Sequence, residues 1–313
     1  MTRILFITAT RIGDAVLFSG PLDHLIRTYR DAEFTVACGP LAAPLFRAAP
    51  RVSEIIVMTK KKGGGHWFDL WRRTVSRRWD LVVDMRASLI SWGLMAGQRR
   101  VNRRRPGQAH RHRVAEAADV LGLTPPPAPR VWIDAAARDK ADGVLPPDRP
   151  VLALSPAAAA PFKEWPAARF AEAAAALTRD GAPLAGAAIV LFGGPGDEAI
   201  TGAVAHALPG REVIDLAGRL DLVEAAACLE RAALFIGNDS GLMHLAAAAG
   251  APTLGLFGPT DERIYGPWGD HAASVRAGGP AREQDRGRLR FAQESLMGDL
   301  EVGAVSRAAS ALL

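Results

Sequence analysis

The sequence predicts an α/β protein of two Rossmann-like domains, each built around a parallel sheet. Short apolar runs typical of buried strands alternate with segments of helical periodicity, which favours right-handed βαβ units. A proline-rich segment at residues 146–150 interrupts this alternation, because proline disfavours both helix and sheet there. The 313 residues are enough for two domains of about 150 residues each. We therefore expect an N-terminal domain at residues 1–147 and a C-terminal domain at residues 148–313.

Each predicted strand is a short run rich in branched apolar residues. In the first half the strands are 4–8, 33–38, 54–58 and 81–84, with helices at 20–30 and 41–48. In the second half the strands are 151–155, 188–192, 212–215, 233–236 and 253–257, and the helices are 168–179, 197–207, 222–231 and 242–249. Spaced apolar positions predict a closing amphipathic helix at 295–313, with the N-terminal domain as one surface on which it could pack.

Composition narrows the class of protein. Hydrophobic residues make up 49% of the chain and charged residues 23%, values ordinary for a globular enzyme. No apolar run reaches the ~18 residues of a membrane-spanning helix. Cys38 and Cys228 lie in unrelated segments and indicate neither a disulfide nor a metal site. We expect a cytoplasmic protein.

Positive charge is concentrated in the first half of the chain. Residues 1–150 contain 25 lysines and arginines against 14 aspartates and glutamates, a net charge of +11, whereas residues 151–313 carry −6. The excess lies mainly at residues 60–62 and at 99–113, which hold seven arginines. Such a surface suits nucleic acid, acidic lipid headgroups or a phosphorylated substrate, and it equally fits a solvated basic face. Aromatic residues do not alternate with the arginines, which disfavours nucleic acid.

The segment from Gly237 to His244 has the pattern of a phosphate-binding turn. It follows a predicted strand and opens a helix of small residues. Gly241 permits close approach of a ligand to the backbone, and Asp239 or Ser240 can cap the helix. The free N–H groups of the first helical turn suit a phosphate, and His244 adds a donor one turn further on. A capped helix without a ligand fits the same residues.

A second polar turn, Gly258-Pro259-Thr260, follows the next predicted strand. Carboxyl ends of neighbouring parallel strands share one sheet edge, where open α/β sheets bind ligands. We therefore include Gly258 and Thr260 among the candidate phosphate-binding residues.

Two further turns carry groups suited to catalysis. Gly13 allows a sharp turn after the first strand, and Asp14 is either a general base or a helix cap. Lys163, which precedes Trp165 and Pro166, could neutralise a diphosphate leaving group. The glycine-rich turn at 193–196 is not followed by the Lys-Ser/Thr of a Walker A loop, and a G-x-G-x-x-G dinucleotide fingerprint does not follow the first strand. No histidine, cysteine and carboxylate cluster has metal-ligand spacing.

Taken in order along the chain, these motifs resemble the heptosyltransferases of glycosyltransferase family 9. The resemblance covers essentially the whole chain and is carried by Gly13-Asp14, Val83-Asp84-Met85-Arg86, Lys163-x-Trp165-Pro166, Phe192-Gly193-Gly194-Pro195-Gly196, Leu216-Ala217-Gly218, Asp239-Ser240-Gly241-x-x-His244-x-Ala246 and Phe257-Gly258-Pro259-Thr260. The family has the GT-B fold of two facing Rossmann-like domains. The resemblance therefore implies that fold for this chain.

The resemblance also implies an activity: inverting transfer of a heptose from ADP-heptose to a hydroxyl of the lipopolysaccharide inner core. It implies no cofactor beyond the nucleotide-sugar donor. By position, Asp14 matches the proposed general base and Lys163 the lysine that meets the donor phosphates. Asp239, Ser240, Gly241 and His244 match the pyrophosphate-binding turn. We expect acceptor binding in the N-terminal domain, donor binding in the C-terminal domain, and peripheral association with the inner membrane.

One departure from the family pattern leaves alternatives open. Where small hydroxyl residues usually precede the lysine, this chain has Ala157, Ala158, Ala159 and Ala160. Ser155 could replace part of their contacts with the phosphates. The alternatives are a degenerate member that binds nucleotide or lipid without catalysis, and a GT-B-fold sugar-nucleotide epimerase or hydrolase.

Overall fold

The computed structural model describes residues 2–103, 111–278, 292 and 294–313. Part of the arginine-rich segment 99–113 therefore lies outside the described residues. The chain divides into two compact units, Met1–Trp132 and Ile133–Leu313.

The first unit contains a five-stranded parallel sheet. Its strands are β1 (Thr2–Ile7), β2 (Ala32–Cys38), β3 (Val52–Val57), β4 (Trp79–Asp84) and β5 (Ala96–Val101). Their spatial order is β3-β2-β1-β4-β5. The helices that accompany this sheet are α1 (Ile12–Leu17), α2 (Ser19–Thr28), α3 (Gly65–Thr74) and α4 (Arg113–Asp119).

The second unit contains a six-stranded parallel sheet. Its strands are β6 (Val151–Ser155), β7 (Ala188–Leu191), β8 (Val213–Asp215), β9 (Leu234–Asn238), β10 (Thr253–Phe257) and β11 (Ala272–Arg276), in the order β11-β10-β9-β6-β7-β8. Its helices are α5 (Ala135–Val144), α6 (Ala167–Thr178), α7 (Glu198–His206), α8 (Leu222–Glu230), α9 (Gly241–Ala249), α10 (Glu262–Tyr265) and α11 (Val302–Ser310).

Both sheets contain a point where the strand order reverses. In the first unit β2 and β3 lie on one side of β1, and β4 and β5 lie on the other. In the second unit β7 and β8 lie on one side of β6, and β9 to β11 lie on the other. The loops that leave the two central strands diverge at this point, which opens a crevice at the carboxyl edge. Each unit therefore has one topologically favoured ligand site.

The prediction of two α/β units with parallel sheets is confirmed, with local differences. The strands β5 and β11 were not predicted, since β5 is polar and both lie at sheet edges, where a strand needs no continuous apolar run. The helices α1, α3, α4, α5 and α10 were also not predicted. The predicted helix at 41–48 is a 3₁₀ helix, Pro40–Phe46, because Pro44 lacks the N–H that a longer α-helix needs.

The boundary between the units lies earlier than the proline-rich segment 146–150. The helix α5 packs against α8 of the second unit. This contact includes an ion pair of 2.9 Å between Arg231 Nη1 and Asp142 Oδ1 and a pairing of Arg138 with Glu230. The prolines therefore connect two elements of one unit.

The C-terminal tail closes the second unit. Its helical part, α11, is shorter than the predicted span and packs against α6 and β11. The carbonyl of Leu300, just before this helix, accepts hydrogen bonds from Trp165 Nε1 at 2.9 Å and from Arg169 at 2.6 Å. The tail thus buries the tryptophan that follows the candidate lysine.

Replacement of Trp165 by alanine is expected to lower the free energy of unfolding by about 3–5 kcal/mol, because a fully buried indole leaves a large cavity. Trp165 also packs edge-on against Phe170, with ring centroids 5.1 Å apart. Urea denaturation followed by circular dichroism measures the effect. Trp165→Phe keeps an aromatic ring and should cost clearly less; an equal cost for the two variants would contradict this packing account.

Candidate functional site

The strand reversal in the second unit brings Lys163 and Asp239 together. Lys163 ends a short 3₁₀ helix, Pro161–Lys163, in the loop after β6, and Asp239 directly follows β9. Their Nζ and Oδ2 atoms lie 2.6 Å apart, with the lysine side chain 21% and the aspartate side chain 8% exposed. Because water is largely excluded, this ion pair fixes the lysine at the carboxyl edge.

Asn238 holds the loop of Lys163 against β9. Its Nδ2 donates to the carbonyl of Pro156 at 2.7 Å, and its Oδ1 accepts from the backbone N–H of Trp165 at 3.1 Å. Both ends of the loop are therefore tied to one buried amide. Asn238 was not among the candidate residues, although its position at the end of a buried strand is typical of such a role.

The helix α9 begins at this edge without a side-chain cap. Ser240 occupies the N-cap position with extended backbone but accepts no hydrogen bond from the first turn. The expectation that Asp239 or Ser240 caps the helix is therefore wrong, since Asp239 instead pairs with Lys163. The N–H groups of the first turn, which begins at Gly241, remain available to an anion.

Three hydroxyl groups around this helix end are buried without a hydrogen-bond partner among the described residues. They belong to Ser155 at the end of β6, Ser240 at the start of α9 and Thr260 after β10. A buried hydroxyl normally has a partner, since leaving it unsatisfied costs free energy. Hydroxyl groups are thus present near the candidate lysine despite the alanines at 157–160.

The remaining predicted residues of this turn lie at the same edge. His244 is the fourth residue of α9 and is only 5% exposed. Gly258 packs tightly, because a Cβ there would lie 2.7 Å from Met297 Cγ. Arg276 donates to the carbonyls of Gly258 and Thr260 at 2.7 and 2.9 Å and so supports the turn.

Glu164, next to the candidate lysine, is a half-buried carboxyl group. Burial raises the pKa of Glu164 above its ordinary value of 4.5. A hydrogen bond from the backbone of Ala158 opposes this shift in part, and the charge of Asp197 adds to it. The carboxylate accepts the Ala158 N–H at 3.2 Å and thereby ties down the alanine-rich loop. Glu164 was not selected from the sequence.

The raised pKa of Glu164 predicts a pH-dependent cost to stability. Well below pH 4.5 the carboxyl is protonated in both states. As pH rises, the unfolded chain ionises first, and the loss of stability is complete once pH exceeds the folded pKa. The stability gained by Glu164→Gln should therefore grow between pH 4 and pH 7. Urea midpoints of the two proteins at both pH values measure this difference, and a difference independent of pH would contradict the assignment.

The strand reversal in the first unit carries a pocket that contains Asp14. The cavity has a volume of about 390 Å³ and is lined by residues that follow β1, β4 and β5 and by residues of α1, its C-cap and α4: Ala9, Thr10, Arg11, Asp14, Phe18, Met85, Arg86, Ala87, Asn102, Arg113 and Glu116. Asp14 lies in the first turn of α1, three residues after the N-cap, and no side chain caps that helix. Gly13 precedes it within the helix. The capping interpretation of Asp14 is therefore not supported.

Arg113 is the charged partner of Asp14 in this pocket. Its Nη2 lies 3.8 Å from Asp14 Oδ1, and its guanidinium also pairs with Glu116 and lies 5.1 Å from the ring centre of Phe18. The Nε atom of Arg113 is buried without a hydrogen-bond partner among the described residues. The pocket therefore presents a carboxylate beside a fixed cation.

A buried carboxylate holds the loop that carries Arg86 of this pocket. Asp84, at the end of β4, accepts hydrogen bonds from the backbone N–H groups of Arg86 and Ser88 at 2.8 and 2.9 Å. Burial raises the pKa of Asp84, and these hydrogen bonds oppose the shift. The network orients Arg86, whose Nη1 lies 3.5 Å from Thr10 Oγ1.

Two features are absent from the described part of the chain. No group of three or more histidine, cysteine, aspartate or glutamate side chains is placed to hold a metal ion. None of the described helices has the length and apolarity needed to span a membrane.

Comparison with known proteins supports the assignment of a family. The model of glycosyltransferase family 9 (heptosyltransferase) matches residues 67–291. Lipooligosaccharide heptosyltransferase 2 of Haemophilus influenzae is 36% identical over 133 residues, which are 41% of this chain and only 37% of that relative. Lipopolysaccharide heptosyltransferase 2 of Salmonella typhimurium is 26% identical over 317 residues, covering 88% of each chain.

Solved structures establish the fold over the whole chain. A family 9 glycosyltransferase from Veillonella parvula superposes with a TM-score of 0.82 at 23% identity, covering 99% of this chain and 97% of that one. The ADP-heptose lipopolysaccharide heptosyltransferase II of Escherichia coli gives a TM-score of 0.76 at 22% identity, with 99% and 98% coverage. The predicted GT-B fold is confirmed, and the chain belongs to glycosyltransferase family 9, the heptosyltransferases.

Proposed function

We propose that this glycosyltransferase moves a heptose from ADP-heptose to a hydroxyl of the lipopolysaccharide inner core, with inversion at the anomeric carbon. The observation that carries the proposal is the donor half of the site. At one strand reversal it combines Lys163, the uncapped start of α9 and three hydroxyls that have no hydrogen-bond partner among the described residues. The choice of ADP-heptose as donor and of lipopolysaccharide as acceptor rests on the names of the relatives. The second unit, residues 133–313, is then the donor unit.

The donor diphosphate would lie at the start of α9. Backbone N–H groups from Gly241 onward, the Ser240 and Thr260 hydroxyls and His244 would donate to its oxygens, while Lys163 would neutralise the charge that develops on ADP. The ion pair with Asp239 holds Lys163 at this edge. Metal-independent stabilisation of the leaving group would follow from these residues.

Asp14 would act as the general base in the first unit. Its carboxylate would take the proton of the acceptor hydroxyl while that oxygen bonds to the anomeric carbon and the bond from that carbon to the diphosphate oxygen breaks. Arg113, whose Nε has no hydrogen-bond partner within the described part of the chain, would bind an anionic group of the acceptor in the same pocket. We further propose that the protein works peripherally at the cytoplasmic face of the inner membrane.

A transfer assay separates this function from its alternatives. The protein is incubated with ADP-heptose and lipopolysaccharide that lacks core heptose, and both products are followed by mass spectrometry. The proposal predicts a gain of one heptose on the acceptor and release of ADP. Release of free heptose alone would indicate a hydrolase, interconversion of the donor an epimerase, and binding without turnover a degenerate member.

A further inference from the structure

Large apolar side chains are exposed mainly on the first unit. Among the described residues nine such side chains are exposed, and seven of them belong to this unit. Phe68 is 60% exposed, Leu89 87% and Trp92 55%. A cluster of this kind marks an interaction surface more often than a single exposed leucine does.

Contacts join these three residues into one surface, here called the apolar surface. The ring of Phe68 in α3 stacks on Trp71 with centroids 5.7 Å apart. Trp71 Nε1 in turn donates to the carbonyl of Gly93 at 3.3 Å. Gly93 ends the 3₁₀ helix Leu89–Gly93, which carries Leu89 and Trp92. The surface is therefore held by packing and a hydrogen bond between two elements.

Cationic side chains lie next to the apolar surface. Arg72 follows Phe68 by one turn of α3, and Lys61 pairs with Asp69 at 2.5 Å. The guanidinium of Arg103 lies 5.9 Å from the ring centre of Trp92. Lys62 is exposed beside them. The half of the chain that contains these residues carries the excess of positive charge.

We propose that the apolar surface docks on the headgroup region of an anionic bilayer. Tryptophan, phenylalanine and leucine bordered by lysine and arginine are the residues of interfacial membrane surfaces, where the rings sit at headgroup level and the cations attract acidic lipid. A protein interface would instead be depleted of lysine around its aromatic centre. The basic residues beside the aromatic ones therefore favour an anionic lipid surface over a protein partner.

The position of the surface fits a lipid-linked acceptor, and in this respect the inference rests on the proposed function. Arg86 lines the pocket of Asp14, and its guanidinium also lies 5.5 Å from the ring centre of Trp67, the neighbour of Phe68. The apolar surface thus adjoins the pocket within the same unit. A bilayer at this surface would present sugars near its headgroups to Asp14.

Site-specific labelling of the full chain tests the proposal. Burial raises the pKa of both native thiols, Cys38 and Cys228, to about 12, so an introduced cysteine is the reactive one. Leu89→Cys and, as matched control, Leu313→Cys at an exposed position of the second unit are labelled with an environment-sensitive dye. Vesicles of phosphatidylcholine alone or with phosphatidylglycerol are then added.

The dye at residue 89 should shift to the blue with the anionic vesicles only, and the shift should weaken with added salt. In a flotation assay, Phe68→Ser combined with Trp92→Ser should weaken vesicle binding about tenfold or more, because two interfacial aromatic residues are lost. Leu313→Ser should bind as the parent protein does. Unchanged ADP affinity and unfolding midpoints in the absence of vesicles would show that the double variant is folded.

Two outcomes would overturn the proposal. One is equal vesicle binding by the parent and the double variant, or none by either. The other is self-association that the double variant abolishes in the absence of lipid binding, which would assign the surface to a second copy of the chain. Vesicle binding is measured without substrate, so its result is independent of the transfer assay. If transfer fails but the vesicles bind, only the proposed function is refuted. If transfer occurs without vesicle binding, only the docking proposal is refuted.

Discussion

Asp14→Asn is expected to lower kcat by about 10²–10⁴-fold, the usual contribution of a general base. The amide keeps the shape of the side chain and its place beside Arg113 but does not take a proton at neutral pH. ADP affinity should stay close to that of the parent protein, because the proposed donor site lies wholly in the second unit. Steady-state transfer and calorimetric ADP binding measure the two effects separately.

Asp23→Asn is a suitable control for this experiment. Asp23 is a carboxylate of the same unit that pairs with Arg27 in α2 and does not line the pocket. It should transfer sugar at the parent rate. Equal losses of transfer and ADP binding in Asp14→Asn would remove Asp14 from the role of base.

Lys163→Met is expected to weaken ADP binding by about 10–100-fold, since a hydrogen bond to a charged group contributes roughly 1.5–3 kcal/mol. A further loss in kcat should follow, because the leaving group loses its cation. Lys140→Met, in α5 and outside the candidate site, is the matched control. Unchanged ADP affinity in Lys163→Met would exclude the lysine from the donor site.

The same variant leaves Asp239 nearly buried without its cation, which should reduce stability. Combining it with Asp239→Asn removes the unpaired charge. The double variant should recover the urea midpoint but not the affinity for ADP. This pattern separates the loss of a ligand contact from a general loss of folding.

The elements that position the candidate sites could be predicted largely from sequence. Runs such as 151–155 and 253–257 are buried on both faces and so appear as continuous apolar segments. The turns after the predicted strands 233–236 and 253–257 were therefore expected at one sheet edge, with Asp239 and Thr260 in them. Lys163 reaches the same edge through the loop after β6. Asp221 also follows the typical pattern of a helix start, because it caps α8 in a capping box whose second member is Glu224.

The contacts within the sites could not be predicted in the same way. Arg113 is one of seven arginines at 99–113, and charge alone does not show which of them meets Asp14, 99 positions earlier in the chain. The position of Ser155 at the site follows from the strand register. β6 pairs with β9 so that Ser155 lies beside Gly237, where a Cβ would be 3.1 Å from the serine Cβ. The hydroxyls that accompany Lys163 thus come from three separate strand ends.

These contacts explain how a loop with alanines at 157–160 can keep its shape. Glu164 holds the Ala158 N–H, and Asn238 holds the Pro156 carbonyl, so the loop is fixed by its ends and not by its own side chains. Small residues suffice in such a loop. On this account the departure from the family pattern is compatible with donor binding.

A crystal structure of the full chain with ADP bound tests the central claim most directly. The account predicts the diphosphate at the start of α9, with Lys163 Nζ and the hydroxyls of Ser240 and Thr260 within hydrogen-bond distance of its oxygens. Binding of the diphosphate at the pocket of Asp14, or at an edge of the second sheet away from β6 and β9, would contradict it.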